Sequence, residues 1–375
     1  MKQAFTKADS AAVKGAAILM MMFHHLYLPG RFDDYAIDFW PIGENLVASM
    51  AWKCKICVSL FAFITGYGLL SSLKHSEKGM EHLASWTRVR LVKTMSGFWF
   101  IYAMAFAVTL CLDGLPLHQY GDKGVIVGVL YALADACGLA NLFGSPTLCS
   151  TWWYMSAAIV FIVLFPILYA IAHRFGYIAA IAAVMAVPRL IGGGYPGGTN
   201  AITFVFPLLM GMMFSDLSLF ERLDETTTRK SHAGTISLRV VPVCILTVIA
   251  LLVPNSFRVQ AWELSYGIVP VIVICFLRYC IIPIPGINAV LRFLGRHSMT
   301  IFLTHTFIRA TYCEDFVYGT FDNFLAVYAL LLVMSLALAL AIDGLKKVCR
   351  YDHLVNRMID RMNDALACDV GGQAH

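Results

Sequence analysis

NFLAVYALLLVMSLALALAIDGL, residues 323–345, runs from Phe324 to Ile342 without one charged side chain. About 20 apolar residues in a helix cross the ~30 Å of hydrocarbon in a bilayer. A lone stretch of this kind could equally be a buried core helix, so the rest of the chain decides. Outward from it, similar runs recur at 297–313, 264–282, 239–254, 200–215, 176–190, 152–172, 94–112, 53–73 and 11–28. They are continuous rather than alternating, which selects helices over the strands of a closed barrel. Of the 375 residues, 59% are hydrophobic and 14% charged. A soluble domain carries about 25% charged residues, so this chain has too few to coat a water-facing surface. The expected fold is an all-α polytopic membrane protein, a bundle of about ten transmembrane helices. The first run lacks a small-residue cleavage site and carries His24 and His25, so it reads as a retained helix rather than a signal peptide.

Val125 to Asn141 is an eleventh candidate, interrupted by Asp135 and Gly138. Charge bias arbitrates, because cytoplasmic loops concentrate Lys and Arg. Ten crossings from a cytoplasmic N-terminus put most of the 28 basic residues inside, including the 74–93 and 216–239 loops, Arg278, Arg292, Arg296 and the tail. The acidic Asp33, Asp34, Asp38, Glu44, Glu314 and Asp315 then face outward. An eleventh crossing would turn the basic 216–239 loop outside. Residues 113–150 are therefore expected outside or re-entrant, 1–345 as one transmembrane domain, and 346–375 as a cytoplasmic tail. The net charge of +5, so distributed, orients helices rather than binding nucleic acid. The eleven cysteines fall mostly inside apolar runs, where cysteine packs as a small hydrophobe. Cys54 and Cys57 have no second pair at metal-site spacing, so no metal is expected. The stretch IGGGYPGGTN, 191–200, lacks the Lys-Ser/Thr ending of a phosphate loop and reads as an outer turn.

Ionisable groups inside a membrane span are costly and tend to be functional. The first run holds Lys14, His24 and His25. Lys14 and His25 are eleven residues apart, about three turns, so they share one helix face roughly 16 Å apart. His24 is rotated by about 100° and leaves that face. Lys14 could simply snorkel to the inner surface. His25 is the stronger candidate, since imidazole suits proton transfer near neutral pH. Arg88, Arg90 and Lys93 precede an apolar run, where basic residues either orient a helix or hold phosphate oxygens. His305 is a second intramembrane histidine, either a packing hydrogen bond or part of a site.

Taken together these segments resemble the acyltransferase family 3 of membrane proteins. KGAAILMMMFHH, 14–25, is similar to that family's first-helix signature, an Arg followed eleven residues later by His. FAFITGYGLLSS, 61–72, resembles its second-helix S-G-F/Y motif, and Arg88-Val89-Arg90 its cytoplasmic R-x-R element. Trp153-Tyr154 through Phe165-Pro166 resembles its middle helix, and GRHSMTIFLTHTF, 295–307, its late G-x-x-S…Y-x-x-H helix. The motifs occur in order from about residue 10 to 345. Three positions depart from the pattern: Lys14 stands for Arg, Thr65 for Ser, and Ala158 for a Glu that many members carry.

The resemblance implies transfer of an acyl group, commonly acetyl, from cytoplasmic acetyl-CoA or another acyl-CoA to a hydroxyl of an extracytoplasmic polysaccharide or lipid-linked sugar. The protein would then be a multi-pass protein of the cell (plasma) membrane with both termini cytoplasmic. Arg88, Arg90 and Lys93 would meet the CoA phosphates, His25 would be the general base or carry the acyl group, and Lys14 and His305 would orient or stabilise charge. The competing class is a transporter or flippase for a polar or glycan substrate, in which intramembrane Lys and His line a path. A substrate-binding sensor is a third.

Overall fold

Thr6 opens the first helix with a reciprocal cap: its hydroxyl accepts from the Asp9 backbone N–H, and the Asp9 carboxylate accepts from that of Thr6. The computed structural model describes residues 5–76, 83–112, 120, 123–190, 200–228, 237–253 and 264–372. Along the chain the helices are α1 (Lys7–Tyr27), α2 (Glu44–Cys54), α3 (Cys57–Lys74), α4 (Leu83–Leu112) and α5 (Val125–Ala136). They continue as α6 (Trp153–Leu190), α7 (Val205–Asp216), α8 (Leu219–Thr228), α9 (Ser237–Leu252) and α10 (Val269–Phe276), the last flanked by π-helical turns Leu264–Ile268 and Leu277–Ile281. Then come α11 (Pro285–Arg296), α12 (Ser298–Thr306) with the π-helical turn Phe307–Tyr312, α13 (Glu314–Gly319), α14 (Phe324–Val348) and α15 (Tyr351–Gly372). Among the described residues there is no strand, only an isolated bridge between Asp38 and Asn323.

Among the described residues four continuous helical stretches are long and apolar enough to cross a membrane: Glu44–Lys74, Leu83–Leu112, Ser150–Leu190 and Phe324–Val348. A fifth is added if the bent pair Ala201–Asp216 and Leu219–Glu225 counts as one. The count stays below the expected ten for physical reasons. Lys14, His24 and His25 dilute α1. Gly176 breaks the helical course of α6 at φ 85°, ψ 163°, so the expected runs 152–172 and 176–190 are two helical segments that meet at a kink and count as one stretch. The expected runs 239–254 and 264–282 appear as shorter apolar helices, Val240–Leu252 and Ser265–Ile281. The glycine-rich stretch 191–200 lies outside the described residues except Asn200.

The eleventh candidate is a helix of 12 residues, α5. At 1.5 Å per residue it is about 18 Å long, short of a crossing. Its Ile126, Leu130 and Leu133 are exposed, while Asp135 is 1% exposed. The Asp135 carboxylate accepts from the hydroxyls of Tyr120 (2.6 Å) and Thr147 (2.7 Å) and from the Leu148 N–H (2.9 Å). A buried carboxylate demands such partners. All three partners lie within 113–150 itself, and the segment meets the bundle where the Tyr102 hydroxyl donates to the Ala132 carbonyl at 2.9 Å and the Ser156 hydroxyl to that of Gly138 at 2.6 Å.

Two close helix crossings frame the bundle, and glycines make both. A Cβ on Gly15 would lie 2.0 Å from the Leu291 carbonyl oxygen, and one on Gly295 would lie 1.8 Å from that of Ala11, so α1 and α11 touch backbone to backbone. Gly66 meets the Leu208 carbonyl at 2.0 Å and Gly211 that of Phe63 at 2.0 Å, joining α3 to α7 in the same way. Small residues at helix crossings permit such approach, and in lipid packing of this kind drives association. Where α1 begins, Arg278 binds Asp224 at 2.9 Å and Asp9 at 3.5 Å, beside the rings of Phe5 and Phe220. The expected tail is tied down as well: the Tyr351 hydroxyl donates to the Ser96 carbonyl at 2.8 Å.

Candidate functional site

The Lys14 and His25 ends of α1 belong to two different environments. Lys14, with the sequence candidates Arg88, Arg90 and Lys93 on α4, lines one cavity of about 2230 Å³. Lys7 lines it too, at the end of the bundle where α1 starts. Arg88 and Lys93 are exposed, Arg90 and Lys14 half-buried. Arg90 lies over the Trp86 ring at 5.3 Å. No hydrogen bond or ion pair holds Lys14 among the described residues, so its ammonium is free to meet an occupant. Clustered cations on a cavity wall suit phosphate oxygens, with Arg as a planar fork and Lys as a point charge.

Phe61, Tyr154 and Phe302 form an aromatic cluster on the wall of the same cavity. Ring centroids are 6.2 Å apart for Phe61–Tyr154 and 5.5 Å for Tyr154–Phe302. Thr65 lines the same wall and is hydrogen-bonded to Tyr154. Its hydroxyl also donates to the Phe61 carbonyl one turn earlier, at 2.8 Å. Ala158, at the position of the departed Glu, also lines the cavity and adds no charge to it.

Behind Phe302 stands the histidine pair. The rings of His25 and His305 are 5.1 Å apart, and the Phe302 ring is 6.3 Å from His305. His305 is fully buried and His25 half-buried. Neither lines the cavity, and Phe302 is the wall residue whose ring contacts His305. Of the three candidate catalytic residues, the structure brings His25 and His305 together and leaves Lys14 with Arg88, Arg90 and Lys93. His24 turns away, as the helical rotation predicts, its Nδ1 donating to the Ala51 carbonyl at 2.7 Å.

Hydrogen bonding assigns the ring protons. Arg31, whose guanidinium can only donate, places an Nη 3.0 Å from His25 Nδ1 and 3.0 Å from the His25 carbonyl. Nδ1 therefore accepts, and the His25 proton sits on Nε2. The His305 Nδ1 lies 2.8 Å from the Phe302 carbonyl, which only accepts, so Nδ1 donates there. His305 Nε2 is left as an acceptor for the Thr306 hydroxyl at 3.2 Å. Thr306 in turn accepts from Thr151 at 3.1 Å, and Thr151 from the Cys149 thiol at 3.2 Å. A directed chain thus runs from residues 149–151 to the imidazole.

Sequence reasoning missed Arg31, Arg309 and this hydroxyl chain. Arg309 sits in the π-helical turn after His305, is 7% exposed, and has no partner at Nε. π-Helical turns concentrate at functional sites. The charges of Arg31 and Arg309 act on both imidazoles. Burial pulls the Arg31 guanidinium below its ordinary value, and Arg309 adds to that pull. The signal that could have found Arg309 was a charge four residues after His305 within an apolar run. Among the described residues no group of three or more His, Cys, Asp or Glu is placed to hold a metal ion.

A family model described as an acyltransferase domain matches residues 9–344, a range that contains every residue of both clusters except Lys7. No curated protein and no solved structure matches the chain.

Proposed function

The chain belongs to the acyltransferase 3 family of membrane proteins, and from that premise we propose that it moves an acyl group from acyl-CoA to a hydroxyl of a glycan or lipid-linked sugar across the membrane. The donor is acetyl-CoA or a related acyl-CoA entering from the cytoplasm, at the end of the bundle where α1 starts. The acceptor meets the histidines near the opposite, extracytoplasmic end, and both chain termini lie in the cytoplasm of a cell whose plasma membrane holds the protein. The observation that carries this reading is the division of α1: Lys14 joins Arg88, Arg90 and Lys93 on the wall of one cavity, and that wall includes Phe302, the ring next to His305.

In the reaction, the CoA phosphates pair with the basic wall and the pantetheine arm points toward the aromatic cluster. The acceptor O–H attacks the thioester carbonyl. The new C–O bond forms as the C–S bond breaks, the hydroxyl proton passes to His25, and the leaving thiolate takes that proton to give free CoA and return the imidazole to its neutral form. His25 serves as general base. The His305 ring packs against it, and His305 is itself held by backbone carbonyls and Thr306, so it orients the imidazole.

Binding of acetyl-CoA to the detergent-purified protein tests the donor half, comparing wild type with the Arg88→Ala/Arg90→Ala double variant. Saturable binding that weakens at least tenfold in the variant supports the reading. Absence of binding at millimolar acetyl-CoA overturns it, and substrate flux into proteoliposomes without acyl-CoA would identify a carrier instead.

A further inference from the structure

Arg31 and Arg309 are two cations near the histidine pair that the acyl-transfer chemistry leaves unused. Arg309 is almost fully buried, with an unpartnered Nε. The Tyr318 hydroxyl donates to the Leu26 carbonyl at 3.1 Å and offers its lone pair to Arg309, which satisfies only part of the guanidinium. Arg31 is half-buried and its contacts are the Nδ1 and carbonyl of His25. Among the described residues no carboxylate comes within 4.0 Å of either guanidinium. Asp315, six residues after Arg309, accepts instead from the Tyr35 hydroxyl at 2.7 Å.

Burying like charges without a counter-ion is costly, and the cost is relieved when an anion arrives. We propose that Arg31 and Arg309 form a seat for an oxyanion carried by the acceptor, a sugar carboxylate or phosphate, so that the acylated glycan is acidic. The inference deepens the acyl-transfer reading and rests on it for the word acceptor. A permanent anion fits this arrangement better than the short-lived oxyanion of the tetrahedral intermediate. Both guanidiniums carry their charge through the whole cycle, and a guanidinium fork matches the paired oxygens of a carboxylate or phosphate.

Seating the anion also acts on the base. In the resting arrangement Arg31 occupies the His25 Nδ1 lone pair, and Nε2 holds a proton, so neither nitrogen is ready to accept one. An anion that draws the Arg31 guanidinium onto itself frees Nδ1 to take the acceptor's proton. The acidic acceptor thereby unmasks the base that activates it.

Calorimetric titration of the detergent-purified protein with glucuronate, inorganic phosphate and glucose tests the seat without acyl transfer. Glucuronate or phosphate, but not glucose, is expected to bind saturably. Binding should weaken tenfold or more in Arg309→Gln and in Arg31→Gln, and less in Arg309→Lys, which keeps the charge. The preferred anion separates a carboxylate-bearing from a phosphate-bearing acceptor. Arg88→Ala/Arg90→Ala serves as the background in which the donor wall is disabled, and the binding should persist there. Binding that survives in both Gln variants but vanishes in that background places the anion on the donor wall and overturns the proposal. So does the absence of any saturable response in wild type. If Arg309→Gln fails to give a monodisperse protein, Arg31→Gln and Arg309→Lys carry the test. Failure of acetyl-CoA binding, by contrast, would strike the acyl-transfer reading and leave the anion titration unaffected.

Discussion

The rings of His25 and His305 stand 5.1 Å apart, although one belongs to the first helix and the other to the twelfth. The contact depends on the crossing of α1 over α11, where Gly15 and Gly295 let two backbones touch, because α12 follows α11 after a single residue, His297. The motif glycine of 295–307 and its histidine are thus two parts of one device: the first sets the approach and the second uses it.

Replacing His25 with Ala is expected to lower turnover by about 10²–10⁴-fold, the usual contribution of a positioned general base, with acetyl-CoA affinity unchanged. His305→Asn keeps a hydrogen-bonding side chain and should cost less. Because the rings are in contact, the double variant should lose less than the product of the single losses. Multiplicative losses in steady-state kinetics would show that the two residues act independently.

Lys14 stands apart from the histidines, on the cavity wall, and its substitution should be felt in the donor term. Lys14→Met is expected to raise the acyl-CoA KM with kcat little changed. A hydrogen bond to a charged group contributes about 1.5–3 kcal/mol, which corresponds to roughly tenfold or more in KM. Lys14→Arg, the residue common in the family at this position, should restore most of the affinity. A fall in kcat alone for Lys14→Met would place the ammonium at the reacting centre and contradict this assignment.

Phe302 lies on the wall of the cavity proposed for the donor, with its ring 6.3 Å from that of His305. Shortening it to Ala opens a passage between the cavity and the imidazoles. The expected result is more hydrolysis of acyl-CoA in the absence of acceptor, relative to transfer, because water then reaches the thioester beside His25. Release of free CoA, followed with a thiol reagent, reads this directly. Unchanged hydrolysis would mean that Tyr154 and Phe61 close the passage alone.

Much of the helical class was legible, because continuous apolar runs and scarce charge leave few alternatives. Helical spacing gave the turn of His24 away from His25, but not its partner on α2, the Ala51 carbonyl. The division of 152–190 at Gly176 was legible in the two apolar runs that flank it, and the exclusion of 125–141 as a crossing agrees with the short length of α5. Periodicity along one helix cannot show what another helix brings. Arg31 follows the first helix and Arg309 lies in a π-helical turn far along the chain, so their shared position beside His25 exists only after folding. The Cys149–Thr151–Thr306 chain was hidden for the same reason, as hydroxyls and thiols in apolar runs look like ordinary packing residues.

Gly66 and Gly68 lie two residues apart on α3 and make opposite predictions. A Cβ on Gly66 would fall 2.0 Å from the Leu208 carbonyl oxygen, 2.8 Å from its carbon and 3.2 Å from its Cα. These are backbone atoms of α7, so relief requires the whole helix to shift, and with it the Gly211–Phe63 contact made by the same pair. Overpacking of this kind costs about 1–3 kcal/mol and sometimes more. Around Gly68 nothing lies within 4 Å, and Ala is the better helix former by up to about 1 kcal/mol. Gly66→Ala should therefore lower the unfolding midpoint in detergent and broaden the size-exclusion peak, while Gly68→Ala leaves both unchanged or improved. The two variants change composition identically, so a difference between them isolates the helix crossing. Equal behaviour would mean that α3 and α7 do not meet backbone to backbone in the membrane, and the wall that Thr65 and Tyr67 present to the donor would need to be drawn again.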